Sequence, residues 1–224
     1  MNTTQGAAVI KLLRTLCVLI AAGFTFDCGA DTFVREDIIA DPDPALFNIC
    51  YDHGCTSLAW VRLSAEQWQQ VRLVFAEPAG TAAEERAQIR AGIALFERIV
   101  GAMTGTAGDK GGNWNGLGLP GQMDCIDEST NTTIYLRMLQ KYGLMRWHSV
   151  ADRVTRWSLF SWPHTTAVIS KRGGLERWAV DSWFLDNGEP PFVLPLEIWK
   201  SGWRPSQGEI NIGEFRPQPG GGGK

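Results

Sequence analysis

A glycine-rich loop followed at once by a well-marked helix constrains this chain more than any other stretch. Seven glycines lie between residues 105 and 121, a density that opposes helices and strands. From Ile126 onward, apolar residues recur at helical spacing until Gly143, a common residue just after a helix end. The sequence therefore predicts a long loop that delivers the chain into a helix of about four turns.

The start of this helix carries a cysteine. Asp124 is a good N-cap, and Asp127 occupies the capping-box position, which places Cys125 at the first helical residue. Unpaired backbone N–H groups there favour a thiolate and can also receive an oxyanion. Gln122 is a candidate second oxyanion donor. Because Asp124, Asp127 and Glu128 raise the pKa of a nearby thiol, the cysteine needs a positive partner.

The first thirty residues have the features of a secretory signal. Lys11 and Arg14 precede an apolar run over residues 15–26, and Cys28-Gly29-Ala30 offers a small-residue cleavage site. The run is shorter than the roughly 20 residues that span a bilayer, so no stable membrane span is expected after removal. A buried N-terminal helix is the alternative. The pattern predicts a secreted or periplasmic protein.

The remaining chain is long enough for one core. Hydrophobic residues make up 44% of the 224 residues, and ten are tryptophans, so a single domain is expected over residues 31–216. Residues 217–224, mostly glycine, are expected to be disordered. A net charge of −3 gives no sign of a nucleic-acid partner.

Cysteine usage agrees with export. Cys50 and Cys55 bracket a short loop that an oxidising compartment could close with a disulfide, and Cys125 is then the odd thiol of the mature chain. A metal site built from Cys50, His53 and Cys55 is the alternative, but it has no evident fourth ligand and does not match zinc spacings.

Local signals predict the flanking elements. Ser64 with Gln67, and Thr81 with Glu84, form capping boxes that open two helices. The other expected elements are an extended segment over residues 31–48, a strand over residues 58–63 and a short helix over residues 195–200.

Two β-type runs flank the turn pair Gly173-Gly174 and predict a hairpin. The first run begins at His164 and the second contains Asp181. A two-residue turn sets Thr166 opposite Asp181 and His164 diagonal to it, whereas a four-residue turn sets His164 directly opposite Asp181. Both registers keep the two side chains within reach. A three-residue turn would separate them.

Nucleophile, base and orienting acid follow in order along this stretch. Cys125 would attack, His164 would take the thiol proton, and Asp181 would hold the imidazole. The alternative is an inert buried cysteine, a structural histidine and an aspartate that binds backbone or a tryptophan N–H. His148 is a poorer base, because no strand pattern aims it.

Residues 124–188 resemble the transglutaminase-like superfamily of papain-fold enzymes, especially the bacterial transglutaminase-like cysteine proteinases. The resemblance rests on the segments Asp124-Cys125-Ile126-Asp127, His164-Thr165-Thr166-Ala167-Val168-Ile169 and Trp178-Ala179-Val180-Asp181. It implies an α+β fold, with the nucleophile helix packed on an antiparallel sheet, and a Cys-His-Asp triad. Some relatives bind calcium near the nucleophile, which makes Asp124, Asp127 and Glu128 candidate ligands. No other cofactor is expected.

The expected activity is a cysteine-dependent peptidase or amidase that acts on a protein or peptide in the cell envelope. A transglutaminase-type acyltransferase differs only in the final acceptor, and a catalytically silent binding module on the same fold is the other alternative. Three tryptophans are candidates to wall a substrate cleft, with core packing as the favoured alternative for each of them: Trp162, Trp178 and Trp183.

Overall fold

A computed structural model describes residues 35–113, 115–158, 161–212 and 215. The predicted signal and the tail over residues 217–224 lie outside the described residues. The protein is a mixture of helices and sheets, 35% helical and 23% strand, which confirms the α+β class. No described helix is both long and apolar enough to cross a membrane.

Six strands and five helices make up the described part. In chain order they are β1 (Phe47–Tyr51), β2 (Ser57–Val61), α1 (Ala65–Val74), α2 (Ala82–Thr104), α3 (Cys125–Lys141), β3 (His148–Ser158), β4 (Ser161–Lys171), β5 (Arg177–Asp181), β6 (Phe192–Pro195), α4 (Leu196–Lys200) and α5 (Gln207–Ile212).

The predicted helix starts are confirmed. Ser64 and Thr81 cap α1 and α2, and in each case the glutamine or glutamate at the third helical position bonds back to the cap. Helix α2 ends at Gly105, whose φ of 83° is a conformation that favours glycine. The strand expected over residues 58–63 and the helix expected over residues 195–200 are also present, as β2 and α4.

The sequence pattern does not predict β1, β3 or β6. Strand β3 cannot be recognised from the sequence because its pairing with β4 shifts register twice. The shifts lie between Ala151 and Val154 and between Arg156 and Ser158. Each irregularity interrupts the alternation by which strands are recognised. Strand β1 overlaps the segment expected to be merely extended, where it pairs with β2 as a separate hairpin.

The larger sheet is antiparallel, with strand order β3-β4-β5-β6, and separates two hydrophobic clusters. Helices α2 and α3 contribute Phe96 and Leu136 to the first cluster, which also contains Ile169 of β4. The second cluster contains Val168, the next residue back along β4, and Trp199 of α4. Alternate residues of β4 thus serve different clusters, and each of these five positions is almost fully buried.

The β4-β5 hairpin has the register expected from the two-residue turn. Ala167 pairs with Val180 and Ser170 pairs with Arg177, while the N–H of Lys171 donates to the carbonyl of Glu176 at 2.9 Å. The register that would set His164 directly opposite Asp181 is wrong, and so is the three-residue turn.

Candidate active site

Cys125 is the first residue of α3, as its sequence context predicts. The carboxylate of Asp124 accepts the N–H groups of Ile126 and Asp127, and the Asp127 side chain bonds back to the Asp124 N–H at 3.1 Å. This cap leaves the N–H of Cys125 itself without a partner residue in the described part of the chain. That N–H is the first-turn donor available to an incoming oxyanion.

A disulfide loop packs on the start of α3. Cys50 and Cys55 are bonded to each other, as predicted, with their Cα atoms 4.6 Å apart. Inside the loop, the N–H groups of His53 and Cys55 donate to Asp127 at 2.8 and 2.7 Å. Gly54 donates to Asp124 at 2.9 Å. The loop therefore fixes both acids that frame the cysteine.

Residues 52–55 all have φ between 57° and 66°, and three of the four are not glycine. Such left-handed backbone costs roughly 1–2 kcal/mol per non-glycine residue. The disulfide and the three N–H bonds to Asp124 and Asp127 are what hold this conformation.

The acids near Cys125 do not fit a calcium site. Calcium takes six to eight oxygen ligands, but Asp124 and Asp127 spend their oxygens on backbone N–H groups. Cys50, Cys55 and Asp127 do bring three potential ligand atoms within 4.8 Å of one another. The two sulfurs are joined as a disulfide, however, so this group offers no thiolate while oxidised.

His164 and Asp181 meet in the buried interior. His164 Nε2 and Asp181 Oδ2 lie 2.7 Å apart, and Trp199 Nε1 donates to the same oxygen at 2.7 Å. Because a carboxylate only accepts, Nε2 of His164 carries the proton, and Nδ1 has the free lone pair of the neutral ring. Nδ1 is buried and makes no hydrogen bond to the described residues.

The thiol lies against the backbone on either side of His164. Cys125 Sγ donates to the carbonyl of Pro163 at 4.0 Å, and the N–H of Thr165 also bonds the sulfur. The thiol and Nδ1 are not hydrogen-bonded to each other. Catalytic hydrogen bonds of this kind often tighten only when substrate binds.

Burial raises the pKa of the Cys125 thiol to about 12, and Asp124 and Asp181 push it in the same direction. The N–H of Thr165 opposes them. A thiol with this pKa is almost fully protonated near neutral pH, so its reactivity depends on transfer of its proton to a base. The raised pKa agrees with the expectation from the sequence that this thiol needs a positive partner to ionise.

Three aromatic rings surround the imidazole of His164. The centroids of Trp183, Phe184 and Trp199 lie 5.0, 5.1 and 5.4 Å from it. Trp183, one of the three candidates for a cleft wall, is almost fully buried here. Trp199 was missed, because its contact with Asp181 joins residues of different elements, and nothing in the local sequence marks it.

The other two candidates for a cleft wall are Trp162 and Trp178. Trp178 lies beneath the guanidinium of Arg86, whose Cζ is 3.6 Å from the ring centroid. The prediction that Trp178 walls the cleft is therefore not supported by its position. The side chain of Trp162 is outside the described residues.

Gln122 is bonded within the glycine-rich loop. Its Nε2 donates to the carbonyl of Gly108 at 3.0 Å, and its Oε1 accepts from Asn113 Nδ2 and from the N–H of Lys110. The side chain thus holds the loop together. One of the two amide N–H groups of Gln122 is thus committed to Gly108, and its role as an oxyanion donor stays a prediction.

His148 has a structural environment. It is the first residue of β3, pairs with Lys171 at the far end of β4 from His164, and is fully buried. Its Nδ1 lies 2.9 Å from Glu85 Oε1, and its N–H donates to the same oxygen. The carboxylate of Glu85 thus holds this histidine away from the thiol.

A buried cluster of acids lies behind the nucleophile helix. Burial raises the pKa of Glu97 to about 7 and that of Asp109 to about 6, and it raises the pKa of Glu128 well above its ordinary value. Glu128 shares a hydrogen bond with Asp109, and Asp109 accepts the N–H of Met123 at 2.7 Å. Glu128 therefore faces Asp109, another acid, and its role as a calcium ligand stays a prediction.

We expect stability to fall as pH rises through the range in which these acids ionise. Their folded pKa values exceed the unfolded ones, so the folded protein binds more protons, and the stabilisation present below about pH 4 is lost through about pH 6–7. Urea unfolding should give a free energy a few kcal/mol smaller near pH 8 than near pH 5. Burial also raises the pKa of Asp127 to about 7, so this acid adds to the same loss of stability. The variant Glu128→Gln should make the dependence shallower, and an equally steep profile in that variant would contradict the assignment.

Comparison of the chain with models of protein families, with curated proteins and with solved structures finds no significant match. The site itself is therefore the basis for any assignment. It combines a thiol at the start of a helix with an imidazole that a carboxylate orients.

Proposed function

We propose that this protein is a cysteine-dependent hydrolase with a papain-like, transglutaminase-like core. Within that class, we infer a peptidase or amidase that acts on a protein or peptide outside the cytoplasm. The observation that carries the proposal is the hydrogen bond from His164 Nε2 to Asp181. It leaves Nδ1 of the same ring as the free base, while the thiol of Cys125 contacts the carbonyl of the preceding residue, Pro163. Helix α3 on an antiparallel sheet, with histidine and aspartate on β4 and β5, supports the core assignment.

The proposed reaction begins with transfer of the thiol proton to Nδ1 of His164 as Sγ of Cys125 attacks the substrate carbonyl carbon. The N–H of Cys125 donates to the oxyanion, and Asp181 stabilises the imidazolium through Nε2. Collapse of the tetrahedral intermediate expels the amine, which takes the proton from Nδ1. Water, activated by the same nitrogen, then hydrolyses the thioester and restores the thiol.

Two features support export. The Cys50–Cys55 disulfide is typical of oxidising compartments, and the first thirty residues have the composition of a secretory signal. A silent binding module on the same fold is the second candidate. Its support is the high pKa of the thiol together with the absence of a bond between Cys125 and His164 in the described structure.

Alkylation of Cys125 by iodoacetamide across pH tests the proposal. In the wild type, we expect a rapid phase well below the usual thiol midpoint near pH 8.5, because His164 accepts the proton. His164→Ala should lose this phase, because burial and the nearby acids then keep the thiol protonated near neutral pH with no base to accept its proton. The matched control is His148→Gln, which removes the other buried strand histidine. Slow alkylation in the wild type, equal to that of His164→Ala, would exclude the triad as an active unit.

A second assay separates the acceptors. An unstructured protein is incubated with the enzyme in the presence of a fluorescent primary amine, and new N-termini are counted by mass spectrometry. Hydrolysis gives new termini without incorporated fluorescence, whereas a transglutaminase couples the amine. The variant Cys125→Ser is the blank for both products.

A further inference from the structure

Arg156 of β3 lies beside the candidate triad without being part of it. Its Cα is the cross-strand partner of His164, so the two side chains leave the sheet next to each other. Its guanidinium stacks on Trp199, with Cζ 4.3 Å from the ring centroid, and its Nη1 donates to the Trp199 carbonyl. The same indole donates to Asp181. Trp199 thus contacts Arg156, His164 and Asp181.

Most N–H donors of the guanidinium have no acceptor among the described residues. Of its five N–H donors, one is used by the Trp199 carbonyl, and no carboxylate among the described residues forms an ion pair with it. Partial burial lowers the pKa of Arg156, and the charge of Asp181 opposes this effect. Because a guanidinium loses its proton only at very high pH, the side chain remains a cation near the thiol. The positive charge of Arg204 also reaches Arg156.

A half-buried arginine that is stacked flat and has free N–H groups is suited to bind a planar anion through two parallel hydrogen bonds. Asp181 acts on Arg156 through its charge, but no hydrogen bond joins the two side chains among the described contacts. We therefore expect the planar anion to come from the substrate. Stacking on Trp199 fixes the plane of the guanidinium and so the direction from which that anion approaches.

We propose that Arg156 binds a carboxylate of the substrate close to the bond that Cys125 attacks. The proposal rests on the proposed function and specifies its substrate class: peptides or amides with an acidic side chain or a terminal carboxylate next to the scissile carbonyl. Trp199 links recognition to chemistry, since it positions Arg156 through its ring and carbonyl and orients Asp181 through its N–H.

Two alkylating agents of nearly the same shape test this subsite without a known substrate. Iodoacetate carries a carboxylate and iodoacetamide a neutral amide, and with each the sulfur forms a bond to carbon as iodide leaves. The measured quantity is the ratio of the two rate constants at Cys125, with a free cysteine peptide as the reference. We expect the wild-type ratio to exceed the reference ratio by about tenfold or more, because Arg156 positions the anion.

Arg156→Gln should bring the ratio down to that of the peptide, and Arg156→Lys should give an intermediate ratio, since lysine keeps the charge but not the planar fork. Arg204→Gln is the control for general loss of positive charge and should shift the ratio by less than about twofold. As a further measurement on the unaltered protein, acetate should slow iodoacetamide alkylation, whereas acetamide at equal concentration should not.

The outcomes distinguish the two proposals. Rapid, His164-dependent alkylation by iodoacetamide, with a ratio that Arg156→Gln does not change, would overturn the carboxylate subsite and leave the hydrolase intact. Loss of the His164 dependence itself would overturn the proposed function. If Arg156→Gln fails to fold, the acetate measurement decides, and absence of protection by acetate overturns the subsite.

Discussion

Replacing Asp181 with alanine is expected to slow iodoacetamide alkylation of Cys125 near neutral pH by about 10²- to 10³-fold, whereas asparagine should cost only about tenfold. Alanine removes the acceptor of His164 Nε2, so the ring loses both its orientation and the charge that stabilises an imidazolium. Asparagine retains an acceptor. Because Trp199 donates to the same position, the amide must present its oxygen there and not its NH₂ group.

The N–H of Trp199 therefore determines which nitrogen of His164 keeps the proton in the asparagine variant, because it orients the amide. The measurement is the pH profile of alkylation in wild type, Asp181→Ala and Asp181→Asn, followed by the double variant Asp181→Asn with Trp199→Phe. Without the indole N–H, the amide is free to turn over, and the rate should fall to that of Asp181→Ala. Equal rates in the two single variants would show that Trp199 does not control the amide.

Replacing Asp127 with alanine is expected to lower the free energy of unfolding by about 3–5 kcal/mol, because it leaves three N–H groups, one buried and two partly buried, without their acceptor. These donors belong to His53, Cys55 and Asp124, so the change releases the disulfide loop from α3 at the same time. Asparagine should cost less, since its oxygen can keep the bonds to His53 and Asp124, while its NH₂ group then faces the N–H of Cys55.

Urea unfolding of the oxidised proteins measures this effect. The matched control is Asp152→Ala, which removes an exposed acid from β3 and should change stability by no more than about 0.5 kcal/mol. A loss for Asp127→Ala as small as that of the control would mean that the loop does not depend on its carboxylate. The iodoacetamide rate of Asp127→Ala, measured below its unfolding transition, then reports whether the loop also positions Cys125.

The local features of the site could be predicted because their causes are local. The cap formed by Asp124 and Asp127 uses N–H groups within one helical turn, so spacing alone places Cys125 at the first helical residue. The Cys50–Cys55 pair closes a short loop for the same reason. The proximity of His164 to Asp181 follows from the alternation of two strands joined by a short turn.

Prediction failed where contacts depend on elements that meet only in the folded chain. The contacts of Gln122 with Gly108 and Asn113, for example, depend on the path of the glycine-rich loop. Many backbone conformations are open to such a loop, and packing selects one of them. The register shifts of β3 prevent its recognition from the sequence, and the position of Arg156 opposite His164 could not be predicted for the same reason.

The sequence by itself determined the start of α3, the disulfide loop, the hairpin and the order of cysteine, histidine and aspartate. Tertiary structure alone decided that Trp199 bonds Asp181, that Arg156 stacks on the same indole, and that the thiol is buried enough to raise its pKa to about 12. The physical reason is the range of each interaction. Caps and turns are set by hydrogen bonds between neighbouring residues, whereas burial and ring packing depend on how distant elements fill the interior.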